Sequence, residues 1–170
     1  MTKIVAISGS TRMGSSNQQL IQACMKLRPD VDWEIVQIGN LPLFQADLDN
    51  TSLPEEVVTW RQVVSEADAV LIVTPEYIHN LPAALKSALE WLTTGGELYD
   101  KRVLPITFTP HAPRGEKAMR SLVWSLQALD AQIVAELPLY QQEVSIGVNG
   151  GISESLPIQM LQEGLDLLLL

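Results

Sequence analysis

The stretch KIVAISGSTRMGSSN, residues 3–17, decides the fold of this chain. It opens with an apolar run at residues 4–7 that stops at a Ser-Gly pair, which predicts a short buried strand closed by a turn. The loop that follows, residues 8–16, carries five hydroxyl side chains, two glycines and Arg12, and a helical pattern begins at Asn17. Backbone N–H groups at a helix start, hydroxyls and a guanidinium group together suit a phosphate dianion. The stretch therefore predicts a strand, a phosphate-binding loop and a helix.

The spacing within this loop separates three kinds of phosphate site. A loop for nucleoside triphosphates needs a lysine where Ser15 stands, so the γ-phosphate would lack its main charge partner. A dinucleotide loop needs a glycine where Thr11 stands, and the threonine side chain would obstruct a pyrophosphate. A hydroxyl-rich cup with one arginine better suits a terminal monoester phosphate, such as that of FMN. A Ser/Gly-rich turn that only joins the strand to the helix is the simplest alternative.

Composition and charge limit the classes of partner. With 170 residues, 46% hydrophobic and 18% charged, the chain is expected to form a single globular domain over residues 1–170. Its formal net charge is −9 and no basic cluster offsets it, so nucleic acid is not an expected partner. The N-terminus lacks a signal-peptide layout, and the leucine-rich end at 165–170 is too short to span a bilayer. We therefore expect no membrane association and a cytoplasmic location.

The rest of the chain alternates between strand and helix patterns. Further strands are expected at 33–38, 68–73, 102–109 and 131–135, and helices at 17–27, 54–66, 82–92, 116–128 and from Glu154 to the C-terminus. Pro105 falls inside the fourth strand and suggests a bulge or an edge there, since proline donates no backbone hydrogen bond. The single cysteine, Cys24, shares a helix face with leucines and is expected to be a buried side chain rather than a reactive thiol. Strands alternating with helices predict an α/β fold with a parallel, doubly wound sheet.

Two motifs resemble one known family. GSTRMGSSN at 9–17 resembles the GSxRxxSxN signature of the NAD(P)H-dependent FMN reductases, a flavodoxin-like family that includes quinone, chromate and azo-dye reductases. TPEYIHNLPAALKSALEWL at 74–92 is similar to that family's PEYNxxxPxxLKNAxDW block. The resemblance implies a flavodoxin-like three-layer sandwich whose five-stranded parallel sheet has the order 2-1-3-4-5. In that order the loops after strands one and three meet where open α/β sheets bind their ligands.

The resemblance also implies roles for individual residues. The residues matching the family's phosphate-binding positions are Ser10, Arg12, Ser15 and Asn17, and Thr11 and Ser16 are expected to help through backbone or hydroxyl groups. Pro75, Glu76 and Tyr77 match the segment that wraps the isoalloxazine ring. An aromatic side chain such as Tyr77 can cover a flavin face or edge. Glu76 is expected to orient backbone or to bridge subunits rather than to transfer protons.

The chain also departs from the family pattern. Ile78 stands where the family usually has asparagine, and Ala83 where many members have glycine. The loop at 109–118 contains two prolines in place of a Ser/Gly-rich turn, so it offers fewer amide donors to the flavin pyrimidine. His111 and Arg114 are candidate replacement donors near the N1–C2=O edge of the ring. The alternative is that His111 is an exposed loop histidine and that Arg114 points into solvent.

The implied activity is hydride transfer from NADPH or NADH to flavin N5, followed by reduction of a small-molecule acceptor such as a quinone or free flavin. No protein side chain is then required as a catalytic nucleophile, and no cluster has metal-ligand spacing. The alternative is a non-enzymatic, flavodoxin-like FMN electron carrier. A weaker alternative is an interaction protein that has lost its flavin, which the altered loop at 109–118 motivates.

The resemblance further implies a homodimer or homotetramer. The long connection at 39–53 supplies candidate subunit contacts in Leu41, Leu43 and Phe44, because loops of this length are often functional or interfacial. The alternative is that these apolar side chains tuck under their own domain.

Overall fold

The structure is a computed structural model that describes residues 1–49, 52–147, 151–153 and 155–170. Its strands are β1 (Lys3–Ser8), β2 (Asp32–Val36), β3 (Ala69–Thr74), β4 (Arg102–Thr109), β5 (Gln132–Ile133) and β6 (Leu137–Tyr140). Its α-helices are α1 (Ser16–Leu27), α2 (Ala46–Asp49), α3 (Glu55–Glu66), α4 (Ala83–Glu90), α5 (Glu116–Ala128) and α6 (Leu156–Leu168). A short 3-10 helix covers Ile38–Asn40.

The strands form one parallel sheet in the order β2-β1-β3-β4-β5, with β6 also paired to β4. The predicted order 2-1-3-4-5 is therefore confirmed. Each predicted strand and helix ends within two residues of its observed bounds. The start predicted for the last helix, Glu154, lies outside the described residues.

Hydrophobic helices cover both faces of the sheet. Successive strand residues point to opposite faces, so Val5 and Ile7 join a core cluster with α3, α4 and α5, while Ile4 and Ala6 join another with α1 and α6. This arrangement is the predicted three-layer flavodoxin-like sandwich. Cys24 is fully buried in the second cluster, and burial raises the pKa of its thiol to about 12, which confirms its expected place in the core.

Pro105 is placed differently from the sequence expectation. It sits in the regular, central strand β4, opposite Ile72 of β3, so the expected bulge or edge is wrong. The carbonyls of Val103 and Thr109 accept bonds from the side of β4 that faces β5 and β6. Pro105 is an even number of residues away from both, so its backbone nitrogen points to the same side of β4. It lies between the residues that pair with β5 and those that pair with β6. The missing N–H therefore falls where the neighbouring strand changes, and no ladder bond is lost.

Sequence reasoning did not find β6. The sequence shows no clear hydrophobic periodicity after Pro138. In the structure, however, Leu137 and Leu139 are buried and alternate with more exposed neighbours, as in a strand with one covered face. Among the described residues β6 pairs with β4 alone, so a proline is tolerated on its outer side. The single predicted strand at 131–135 is thus followed by a second one.

The connection between β2 and α3 packs largely against its own domain. Leu41 and Phe44 lie against the first core cluster, and the Phe44 ring meets the Trp91 ring edge-on with centroids 5.0 Å apart. These two side chains therefore pack under their own domain, as the alternative to a subunit contact predicts. Leu43 is 70% exposed and remains available for a contact outside the domain. Within the described residues, no helix combines the length and the apolar character that crossing a bilayer requires.

Candidate functional site

The loop between β1 and α1 is folded into a cup by its own polar groups. The Ser8 hydroxyl donates to the Ser10 carbonyl at 3.0 Å and accepts from the Ser10 N–H at 3.2 Å. Ser15 is the N-cap of α1, and its hydroxyl accepts from the Gln18 N–H at 3.3 Å. The Ser15 N–H donates to the Arg12 carbonyl at 3.2 Å. These bonds fix the backbone just ahead of the helix.

The cup leaves donors free for an anion. Among the described residues, no hydrogen bond satisfies the N–H groups of Ser16 and Asn17, which open α1. The helix macrodipole adds positive potential at this end. The Arg12 side chain is exposed and forms no ion pair with any described residue, although the chain carries a net charge of −9. A phosphate would satisfy all three groups at once.

Asn17 gives a direct indication that a ligand completes the site. The residue is 3% exposed, and its Oδ1 atom has no hydrogen-bond partner among the residues that the structure describes. Buried polar atoms nearly always have a partner, and leaving one without costs about 1–3 kcal/mol. A hydroxyl donor beside the phosphate, such as the ribityl chain of FMN carries, would satisfy this oxygen. The residues present therefore fit FMN.

A glycine brings the phosphate loop against the loop that follows β3. A Cβ atom at Gly9 would lie only 2.8 Å from the Thr74 Cβ, so a side chain there would push the two loops apart. The Gly9 N–H also donates to the Val73 carbonyl at 2.8 Å. The loops after β1 and β3 thus meet at the carboxyl edge of the sheet, as the topology predicts.

The loop after β3 is a tight hairpin. Tyr77 and Asn80 exchange two backbone hydrogen bonds of 3.0 Å, and Ile78 and His79 between them have φ values of 49° and 57°. This turn carries Ile78 out into solvent, where it is 98% exposed, and leaves Tyr77 50% exposed. The Tyr77 ring is therefore held at the rim of the site, where it can cover a planar ligand.

The Glu76 carboxylate is buried and accepts hydrogen bonds from backbone N–H groups. Its Oε2 atom accepts from the N–H groups of Gly115, Lys117 and Ala118 at 3.1–3.2 Å, at the start of α5. Burial opposes ionisation, but the hydrogen bonds from Ala118, from His79 and from the other two amides outweigh it and lower the pKa of Glu76. Glu76 thus orients backbone, one of its two expected roles.

Arg114 spans the gap between the loop after β4 and the loop after β3. Its Nη2 atom donates to the Glu76 carbonyl at 3.5 Å. Its own backbone is held by Thr109, whose hydroxyl donates to the Arg114 carbonyl, and by a 3.0 Å bond from the Arg114 N–H to the His111 carbonyl. The altered loop at 109–118 therefore still reaches the site and brings a positive charge to it.

One cavity of about 190 Å³ collects most of the residues expected from the sequence. Those that line it are Ser10, Arg12, Ser15, Ser16, Asn17, Pro75, Glu76, Tyr77 and Arg114. Two expected residues lie elsewhere. The Thr11 side chain turns toward Gly39, where an added Cβ would come within 3.2 Å of it. His111 lines a neighbouring, larger cavity instead.

Four lining residues were not expected from the sequence: Phe108, Thr109, Pro110 and Gln141. The first three end or follow β4, so the rule that ligands bind at the carboxyl ends of strands could have found them. Gln141 follows β6, and its Nε2 atom donates to the Ser16 hydroxyl at 2.9 Å. Without β6 in the predicted sheet, no sequence signal pointed to Gln141.

Comparison with known proteins gives matches at several levels. The model of the family described as NADPH-dependent FMN reductase matches residues 2–142. A 2-hydroxy-1,4-benzoquinone reductase from Burkholderia sp is 43% identical over 90 residues, which are 52% of this chain and 49% of that protein. The NADH:(hydroxy)cinnamate reductase subunit CrdA of Vibrio ruber is 34% identical over 145 residues, which are 84% of this chain and 70% of that protein. The matched part thus spans about half the length of the first relative and more of the second.

A solved structure is also similar. The flavoenzyme NAD(P)H:(acceptor) oxidoreductase FerB of Paracoccus denitrificans superposes with a TM-score of 0.86 at 25% sequence identity. The superposition covers 98% of this chain and 94% of that one. It includes all three layers of the sandwich.

Proposed function

Because the chain belongs to the NADPH-dependent FMN reductase family, we propose that it is an FMN-containing, NAD(P)H-dependent oxidoreductase. It passes two electrons to a small-molecule acceptor such as a quinone or free flavin. The observation that carries this proposal is the 190 Å³ cavity, which is lined by Arg12, Asn17 and the half-exposed Tyr77. Within the described part of the chain, the Arg12 guanidinium and the Asn17 Oδ1 atom have no partner. Each of these groups has a matching part in FMN.

Different groups of the protein bind the FMN and adjust the energy of its reduction. Arg12 and the free N–H groups of Ser16 and Asn17 hold the phosphate, and Tyr77 covers the ring at the rim. Arg114 places a positive charge beside the ring, where it stabilises negative charge that develops on reduction. Bound FMN supplies the hydride-transfer chemistry, so no protein nucleophile is needed. Ser10 and Ser15 shape the cup through their backbone and hydroxyl groups, and Pro75 lines the cavity from the loop after β3.

The alternatives raised by the sequence are weaker. The relatives are named reductases and oxidoreductases, which favours an enzyme over an electron carrier. The contact of Arg114 with Glu76 keeps the altered loop at the cavity, which argues against a lost flavin site.

We further propose that residues 1–170 act as one flavodoxin-like domain. The homodimer or homotetramer and the cytoplasmic location stay predictions, and light scattering of the FMN-loaded protein tests the first.

Anaerobic mixing of the FMN-loaded protein with NADPH or NADH tests the proposed activity. The expected result is loss of the visible flavin absorbance, and its return when a quinone is added. Reduction by dithionite is the control that the bound flavin is redox-competent. If dithionite bleaches the flavin and neither nucleotide does, the protein is an electron carrier and the proposed activity is wrong.

A further inference from the structure

A second cavity, of about 510 Å³, adjoins the proposed FMN site. The two cavities share Glu76 and Arg114 as lining residues, so they have a common wall. The residues that line the larger one are Glu76, Ile78, His79, His111, Pro113, Arg114, Glu116 and Lys117. A molecule seated there would adjoin the proposed FMN site.

Lys117 and Arg114 are two of the cations that form no ion pair with a described residue. Lys3, Arg28, Arg61 and Lys86 do form ion pairs with one or more carboxylates. Among the described residues, however, Lys117 has no side-chain partner, and Arg114 has only the 3.5 Å contact with the Glu76 carbonyl. Cations left unpaired in a chain of net charge −9 are available for an anionic ligand.

The carboxylates of this cavity only partly offset the cations. The Glu76 carboxylate accepts from three backbone N–H groups at the start of α5, one of them that of Lys117, and it contacts His79. Among the described residues it forms no ion pair with the Lys117 side chain. Glu116 is exposed in the first turn of α5 and remains the competing negative charge. Both histidines of the chain, His79 and His111, also face the cavity and can donate hydrogen bonds to an anion.

Part of the lining of this cavity is apolar. Ile78 is 98% exposed at the tip of its hairpin, and it lines the cavity together with Pro113. A cavity lined by both apolar and cationic side chains suits a molecule with a flat aromatic base and phosphate groups. Because this cavity shares a wall with the proposed FMN site, a molecule bound in it would be adjacent to that site.

We propose that this cavity binds the phosphate-bearing nucleotide part of the reduced pyridine nucleotide, with Lys117 and Arg114 on its phosphates and Ile78 and Pro113 against its base. The inference rests on the proposed function, because it assigns a place to that reaction's electron donor. It makes Lys117 a determinant of donor affinity that is separate from the FMN phosphate loop.

The test compares Lys117→Gln with a matched control, Arg120→Gln. Arg120 is an exposed cation on the same helix that does not line the cavity. Binding of NADP⁺ to the FMN-loaded proteins is measured by titration calorimetry, with no turnover required. Lys117→Gln is expected to weaken NADP⁺ about three- to tenfold, as for loss of one charge-assisted hydrogen bond near the surface. Arg120→Gln is expected to change it less than twofold.

A phosphate-free donor provides the second arm. The kcat/KM for NADPH should fall about three- to tenfold in Lys117→Gln, in step with NADP⁺ binding. The kcat/KM for reduced nicotinamide riboside, which has no phosphate, should stay unchanged. Equal losses for both donors, or unchanged NADP⁺ binding in Lys117→Gln, would overturn the proposal. A protein that binds NADP⁺ through Lys117 but is not reduced by NADPH would refute the proposed activity alone.

Discussion

Ile78 adopts a backbone conformation that a β-branched residue disfavours. Its φ of 49° lies in the left-handed region, and its side chain is almost wholly in solvent, so burial does not compensate for the strain. The family usually has asparagine at this position, a residue that adopts the left-handed region more readily. Strain of this kind persists where a side chain serves a function, which agrees with Ile78 forming the apolar wall of the larger cavity.

Replacing Ile78 with asparagine should therefore stabilise the fold. We expect the free energy of unfolding of Ile78→Asn to rise by about 1 kcal/mol, because asparagine tolerates the left-handed region. Val58→Asn is the control, since Val58 is an exposed β-branched residue within the regular helix α3. Urea denaturation monitored by circular dichroism measures both. A loss of stability in Ile78→Asn would mean that the isoleucine side chain, and not the backbone, determines the energy at this site.

Residue identities in the phosphate loop were predictable, but side-chain directions were not. Arg12 and Asn17 follow from the motif, since only certain residue types suit a phosphate at a helix start. The Thr11 side chain turns away toward Gly39 because the cup formed by Ser8 and Ser10 sets its direction. That cup depends on hydrogen bonds between loop atoms, which spacing along the chain does not specify.

At the scale of elements, Glu76 joins the loop after β3 to the N-terminus of α5. Its carboxylate satisfies three N–H groups that the first turn of a helix leaves without intrahelical partners. The negative charge also lies at the positive end of the helix dipole. Gly115, which donates one of these bonds, has φ of 109°, a conformation that glycine adopts without strain. This link holds the two loops that carry Tyr77 and Arg114 in a fixed relation.

Removing the Glu76 charge should weaken this link in a pH-dependent way. At neutral pH we expect Glu76→Gln to lower the free energy of unfolding by about 1–2 kcal/mol. The folded-state pKa of Glu76 is lowered, so its stabilisation is complete above the unfolded pKa and is lost as the pH falls through the folded value. The difference between the proteins should therefore shrink in acid.

Urea denaturation at several pH values from neutral to acid measures this difference. Glu116→Gln is the matched control, because Glu116 is an exposed carboxylate in the same helical turn. The control should lose at most about 0.5 kcal/mol. A Glu76→Gln difference that stays constant from neutral pH into acid would show that the carboxylate charge does not stabilise the fold.

The order of strands and helices could be predicted because it follows from the pattern of apolar residues in the sequence. β1, β3 and β4 are buried on both faces and appear as continuous apolar runs. Pro105 and Pro138 misled the prediction because their effect depends on which strand lies beside them. Neighbouring strands are a property of the folded sheet, so the sequence alone could not specify this.

At the scale of the whole molecule, the sheet places two unlike cavities side by side. The smaller is built on hydroxyls, free amides and Arg12 at the ends of β1 and β3, and the larger has an apolar and a cationic wall. Arg114 lines both, so a positive charge stands where the two ligands would meet. The body around them is acidic, with a net charge of −9, so anion affinity must come from these local groups.

The affinity of the flavin-free protein for FMN and for riboflavin, with and without Arg12, tests the central claim most directly. The wild-type protein should bind FMN at least about tenfold more tightly than riboflavin, which lacks the phosphate. Arg12→Ala should weaken FMN by about 1.5–3 kcal/mol and leave riboflavin nearly unchanged. Lys26→Ala, which removes a cation from the far end of α1, should change neither affinity. Fluorescence quenching that gives equal affinities for FMN and riboflavin in the wild-type protein would contradict the account.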